Sequence, residues 1–194
     1  MDGTQLLTQE IDQATPDELH AYLAGASRDG YPSKRHRTYR FTQANEGWLC
    51  NIGTILARLQ HRSWLYREGR RNVFVLETSY RPRKIPILHS EGDVLAYVAG
   101  YFDAEGGMPH SLDARLYFQF VQKDRADLLH LKEHLHELRI WCGGLHNPSA
   151  RVDPHYWRFF VSAVSHRRFL EIVRSWHPAK RMRMIERRIM QGTD

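Results

Sequence analysis

The chain has 194 residues, 42% apolar and 26% charged, with 28 Lys and Arg against 22 Asp and Glu, a net charge of +6. That balance excludes a disordered basic tail and supports one domain, or two small ones, with a real core. No run approaches 18 consecutive apolar residues and residues 1–9 carry no targeting pattern, which predicts no membrane span and a cytoplasmic location, or an organellar one if organelle-encoded.

Charge is segregated along the chain. Residues 1–27 hold five acids and no Lys or Arg, whereas residues 28–90 hold thirteen Lys or Arg and four acids. Residues 165–194 are again basic. Basic blocks interleaved with Tyr and Trp fit a polyanion partner, nucleic acid before membrane; a solvated basic surface is the other reading. Two cysteines, Cys50 and Cys142, are too few for a disulfide scaffold and read as reduced thiols.

In chain order, Thr15-Pro16-Asp17-Glu18 is a capping box with Pro at the first helical position, opening a helix over residues 16–28. A weak strand over 31–36 and an alternating strand over 38–43 follow, then a helix with Trp48, Ile52, Ile55 and Leu59 on one stripe. Strands over 64–67 and 72–77 are joined by a turn at Gly69. Residues 78–88, with Pro82 and Pro86, read as an extended linker. Ser90-Glu91-Gly92-Asp93 then repeats the first cap and opens a helix over 91–104. After it come a weak strand over 107–111, a strand over 114–122 and a helix with Leu128, Leu131, Leu135 and Leu138 on one stripe. Strands near 140–145 and 156–161, a last helix from Ser165 and a basic run over 180–188 complete the chain.

This order contains a repeat. Ala21-Tyr22-Leu23-Ala24-Gly25 returns as Ala96-Tyr97-Val98-Ala99-Gly100, at the same distance from its helix cap. The expected fold is α+β, two pseudo-symmetric αββαββ halves over residues 1–77 and 90–194, the second with an extra helix, joined by a linker over 78–89. Small residues at Ala24-Gly25 and Ala99-Gly100 allow two backbones to approach, so the motif helices are expected to pack together at a central pseudo-twofold interface. Asp29 then ends one helix, and Asp103 and Glu105 end the other. Converging carboxylates at negative helix C-termini repel unless a cation sits between them, and oxygen ligands select Mg²⁺ or another hard divalent ion such as Mn²⁺. His130 and His134, i,i+4 on one helix, lack an evident opposing ligand pair for zinc and read as the polar flank of the leucine stripe.

Val98-Ala99-Gly100-Tyr101-Phe102-Asp103-Ala104-Glu105-Gly106 resembles the LAGLIDADG motif, and Leu23-Ala24-Gly25-Ala26-Ser27-Arg28-Asp29-Gly30 is similar to a degenerate second copy. Together they resemble the monomeric, two-motif LAGLIDADG homing endonucleases of introns and inteins. The resemblance implies saddle-shaped antiparallel sheets, a double-stranded DNA target and metal-dependent phosphodiester hydrolysis, with Asp29 and Glu105 holding Mg²⁺ or Mn²⁺. It also implies Gln43 and Gln122 near the scissile phosphates and Lys123 stabilising transition-state charge. An RNA splicing maturase, or a nicking or non-catalytic DNA-binding protein, are the other functions it allows.

The first motif is one residue short: Asp29 follows Gly25 by four residues, where Glu105 follows Gly100 by five. In a continuing helix the offset turns the carboxylate by about 100°. An early helix end at Gly30 and Pro32 is expected to bring it back.

Strand parity divides the sheet faces. Tyr39 and Phe41, with Leu116, Phe118 and Phe120, are expected beneath the helices. Lys34, His36, Thr38 and Arg40, with Arg115, Tyr117 and Gln119, are expected on the face toward DNA, where Arg and Gln suit base edges in the major groove. Phe74 and Leu76 as core residues put Arg71 on that face, and Arg158, beside Phe159, joins it.

Overall fold

The computed structural model describes residues 3–70 and 72–192. α1 (Gly3–Gln13) comes first, an element additional to those expected. Leu7 and Ile11 are buried, and Arg58 from the later helix α3 (Glu46–Arg58) donates to the carbonyls of Ile11 and Ala14, so α1 is tied at its C-terminal end.

α2 (Pro16–Ala26) starts where its capping box requires. The Thr15 hydroxyl accepts from the Glu18 amide at 3.2 Å while the Glu18 carboxylate accepts from the Thr15 amide at 2.7 Å. The helix ends at Ala26 and tightens into a 3₁₀ turn over Ser27–Asp29. Then come β1 (Gly30–Ser33), β2 (Thr38–Gln43), α3, β3 (Ser63–Arg67) and β4 (Phe74–Thr78). The four strands form an antiparallel sheet in the order β1-β2-β4-β3. α3 is capped by Asn45, whose side chain accepts from the Trp48 amide, and buries Trp48, Leu49, Ile52, Ile55 and Leu56 with Phe41 and Leu76 of the sheet. The helical period of that stripe and the period of two in β2 meet in one core.

α4 (Glu91–Glu105) repeats the reciprocal cap: the Ser90 hydroxyl accepts from the Asp93 amide, and the Asp93 carboxylate accepts from the Ser90 and His89 amides. It packs backbone to backbone against α2. A Cβ added at Gly100 would lie 2.1 Å from the Tyr22 carbonyl oxygen, and one at Gly25 would lie 2.2 Å from that of Tyr97. The two glycines of the repeat are therefore required by each other's helix.

The remaining elements are β5 (Gly106–Gly107), β6 (Gln119–Gln122), α5 (Arg125–Glu137), β7 (Trp157–Phe160), α6 (His166–Ile172) and α7 (Pro178–Gln191). β5-β6-β7 form a second antiparallel sheet. Phe118, Phe120, Phe159 and Phe169 build its core against Leu128, Leu131 and Leu135 of α5, with the Phe118 and Phe169 rings stacked at 4.3 Å.

Two expectations need correction. The strand expected over 114–122 pairs only over Gln119–Gln122, because residues 111–114 make a turn whose Ser111 and Ala114 carbonyls are held by the buried Arg187 of α7. The stretch 140–145 forms no continuous ladder: Cys142 makes an isolated bridge to Val161, and His146, just beyond it, makes one to Arg158. The basic run 180–188 is helical, with Met184 and Arg187 facing inward.

The chain divides into two compact units, residues 1–104 with 175–178 and residues 105–174 with 179–194. The boundary falls one residue before the end of α4, so both motif helices pack together within the first unit.

Candidate active site and nucleic-acid interface

Each motif helix ends on an acid followed by glycine, but the two ends differ. α4 stays helical through Glu105, whereas the first motif leaves the α-helix at Ala26 and reaches Asp29 through the 3₁₀ turn. The early end expected from the shortened motif is present, though Gly30 does not supply it through unusual dihedrals. Its φ of −129° is ordinary extended backbone, and glycine is needed because a Cβ there would meet the Tyr39 ring at 2.4 Å. That ring is fixed by its hydroxyl, which donates to the Ser27 carbonyl at 2.7 Å. Tyr39 therefore holds the turn that carries Asp29.

Asp29 is half-buried and accepts from the Gln43 amide nitrogen at 2.5 Å. Gln43 is oriented in turn: its amide oxygen accepts from the Ala44 backbone N–H at 3.1 Å. In the second unit Gln122 makes the same turn, accepting from the Lys123 N–H at 2.7 Å, and leaves Lys123 exposed. Glu105 is half-buried, and Lys180 of α7 donates to the carbonyl of the next residue, Gly106, at 2.7 Å. Lys180 was readable only as part of a basic run, because its place beside the motif depends on a contact 74 residues distant in sequence.

Asp103 separates from the other acids. It is 1% exposed, and one oxygen accepts from the Ser175 hydroxyl while the other accepts from Tyr22 OH at 2.6 Å and the amides of Trp176 and His177 at 2.7 and 3.0 Å. Burial, with the Asp103 charge second, pushes the Tyr22 phenol well above its ordinary pKa, so it stays a donor. Trp48 Nε1 donates to the same hydroxyl, and the Trp176 ring packs on Tyr22 at 4.3 Å. Asp103 thus anchors residues 175–177 to the motif helices and is not presented as a ligand.

Among the described residues no three His, Cys, Asp or Glu side chains gather into one ligand set. The His130 and His134 rings stack on each other at 5.3 Å, and His134 meets Glu137 at 2.9 Å, in keeping with a polar helix flank. Carboxylates such as those of Asp29 and Glu105 are oxygen donors, which suit Mg²⁺ or Mn²⁺ better than zinc, and Mg²⁺ commonly takes one or two carboxylates with water and phosphate oxygens.

On the first sheet, Tyr31, Arg40, Glu77 and Trp64 lie in register across the four strands. Arg40 does not stand free on this face. It donates to Tyr31 OH and Tyr66 OH, both at 2.8 Å, and to Glu68 at 3.0 Å, and its guanidinium sits over both tyrosine rings. Thr38 is buried and donates to Glu77. Lys34 and His36 are exposed in the β1–β2 loop rather than on a strand, because pairing stops at Ser33 and Thr38. Arg71 lies outside the described residues. In the second unit Gln119 is half-buried between Gly107 and Phe160, and Tyr117 and Arg115 are exposed in the segment before β6. Arg158 contacts His146 at 3.2 Å and lies over Phe160.

Glu77 is 5% exposed, and burial pushes its carboxyl pKa up. Hydrogen bonds from Thr38 and Tyr66, and the charge of Arg40, outweigh that and leave it below the usual value. A folded pKa below the unfolded one adds stability that is present above the unfolded value and lost as pH falls through the folded one. Glu77→Gln should therefore cost about 1–3 kcal/mol at pH 7, with the difference from wild type shrinking toward pH 3. Urea midpoints at the two pH values check this; an equal difference at both would contradict it.

No protein-family model matches the chain, and no curated protein matches it in sequence. Solved structures do. The homing endonuclease I-DmoI in complex with DNA and Ca is similar at a TM-score of 0.61 and 16% identity, over 83% of this chain and 91% of that one. The N-terminal LAGLIDADG domain of DUF199/WhiA gives 0.67 at 12% identity, over 88% and 89%. Full-length DUF199/WhiA from Thermatoga maritima gives 0.68 at 13%, over 94% of this chain and 65% of that one. The fold, α+β with two antiparallel sheets, is the LAGLIDADG fold. Among the described residues no helix is long and apolar enough to cross a membrane.

Proposed function

We propose that the protein is a site-specific DNA endonuclease of the LAGLIDADG kind, hydrolysing phosphodiesters of a double-stranded target with Mg²⁺ or Mn²⁺ and acting as a monomer. The observation that carries this reading is the pair of acid–glycine ends on two helices packed glycine to glycine, with the first acid held by the Gln43 amide. I-DmoI, which shares the fold, has been crystallised with DNA and Ca, and with DNA and Mn. A fold also found in WhiA does not by itself select an activity, so the reading rests on these side chains.

In this reading Asp29 and Glu105 are each ligands to divalent cations, which would polarise the phosphodiester and lower the pKa of bound water. Gln43 keeps the Asp29 carboxylate in one orientation. Lys123 and Lys180 place positive charge near the phosphates, offsetting charge that grows as the bond breaks. Arg115, Tyr117, Gln119 and Arg158 contact the duplex from the second unit. In the first unit Lys34, His36 and Arg71 meet phosphates, while Arg40 and Thr38 line the sheet face.

The 3₁₀ turn before Asp29 favours a second reading, a protein that nicks one strand, because the two acids leave their helices differently. A supercoiled plasmid carrying the target separates the two. Wild type should linearise it, and Asp29→Asn should slow cutting of one strand by about 100-fold or more, leaving nicked circles. A wild type that only nicks would favour the second reading, and an Asp29→Asn variant that still linearises at the wild-type rate would remove Asp29 from the site.

A further inference from the structure

We propose that the outer face of the four-stranded sheet is a stacking platform for unpaired bases, through which the protein binds single-stranded nucleic acid. The inference goes beyond duplex cleavage and does not depend on it.

Three large aromatic side chains stand exposed on this one face: Tyr31 on β1 (45% exposed), and Trp64 and Tyr66 on β3 (47% and 36%). Tyr31 and Trp64 terminate the cross-strand row whose middle members are Arg40 and Glu77, so an aromatic shoulder rises on each side of a sunken charged pair. The two tyrosines are immobilised by hydrogen bonds from Arg40, and Glu68 and Glu77 balance its charge. Among the described residues no other ring or cation covers the Trp64 indole. Rigid, exposed ring faces lose little freedom when another flat group stacks on them.

Charge supplies the rest. The β1–β2 loop exposes Lys34, Arg35 and Arg37, and the β3–β4 hairpin exposes Arg67 and Arg70. The register places these turns at opposite ends of the sheet, since Tyr39, Thr78 and Ser63 align at one end and Gln43, Phe74 and Arg67 at the other. A polyanionic strand running along the sheet would meet cations at both ends and rings between them. A duplex offers base edges to a sheet and keeps its base faces inside the stack, whereas unpaired bases present the faces that aromatic side chains hold. Neutralisation of Arg40 also suits a stacking floor better than an edge-reading fork.

Anisotropy of fluorescein-labelled mixed-sequence 12-mers, as single-stranded RNA, single-stranded DNA and the corresponding DNA duplex, tests this with the full chain. Wild type should bind at least one single strand, the RNA and DNA arms showing whether the 2′-hydroxyl matters. Trp64→Ala should weaken that binding by about five- to 150-fold, and Trp64→Phe, which keeps a ring, by less than about threefold. Affinity for the duplex should change by less than about threefold in both variants. Absent single-strand binding, an unchanged Trp64→Ala, or an equal loss on duplex would overturn the proposal. The readout is binding and not cleavage, so a chain that fails to cleave would still give a decisive answer here.

Discussion

Gly100→Ala should lower stability by about 3 kcal/mol or more, an urea midpoint fall of about 1–2 M, although it adds a single methyl group to a helix. In an exposed helix the same change is mildly stabilising, because alanine is the better helix former. Here the new Cβ would sit 2.1 Å from the Tyr22 carbonyl oxygen and 3.0 Å from the Ala26 nitrogen, both backbone atoms of α2. No rotamer change relieves a backbone clash, so the helices must separate. Tyr22 would move with α2, disturbing the hydroxyl that joins Asp103 and Trp48. Gly144→Ala is the matching control, since nothing lies within 4 Å of a Cβ there, and should shift the midpoint little. Equal effects at the two positions would contradict the helix packing described.

The second large effect is chemical. Glu105→Gln replaces a carboxylate at the end of α4 with a neutral amide of the same shape. Cleavage should fall by about 1,000-fold or more, because the cation loses a charged ligand and with it several kcal/mol of transition-state stabilisation. Duplex binding should change by less than about threefold, since Glu105 is on neither sheet face and phosphate contacts by Lys and Arg dominate affinity. Loss of binding together with cleavage would assign Glu105 to the fold instead.

What could be read in advance was local. The capping boxes at Thr15 and Ser90 need four residues each, and both helices start there. β2 occupies the alternating stretch 38–43, because Phe41 must face α3 and one slip would turn it outward. Long-range partners were not legible. Nothing near Asp103 announces that Ser175, Trp176 and His177 will fill its oxygens, so it looked like a third acid of the site. Parity put Arg40 on the outer face, but its confinement comes from Tyr31 and Tyr66 on other strands, and needs the register as well as the face. The early start of the strand expected from 114 is lost for a similar reason, the turn over 111–114 being held by an arginine more than 70 residues on.

Cleavage of a randomised duplex library by wild type and Glu105→Gln, each with Mg²⁺ and with EDTA, is the most direct measurement. Wild type with Mg²⁺ should enrich one family of cut sequences, and the other three reactions should leave the library intact while both proteins retain it on a filter. Cutting by Glu105→Gln at the wild-type rate, or a wild type that retains the duplexes and never cuts them with Mg²⁺, would contradict the assignment of this chain as an endonuclease acting through Glu105.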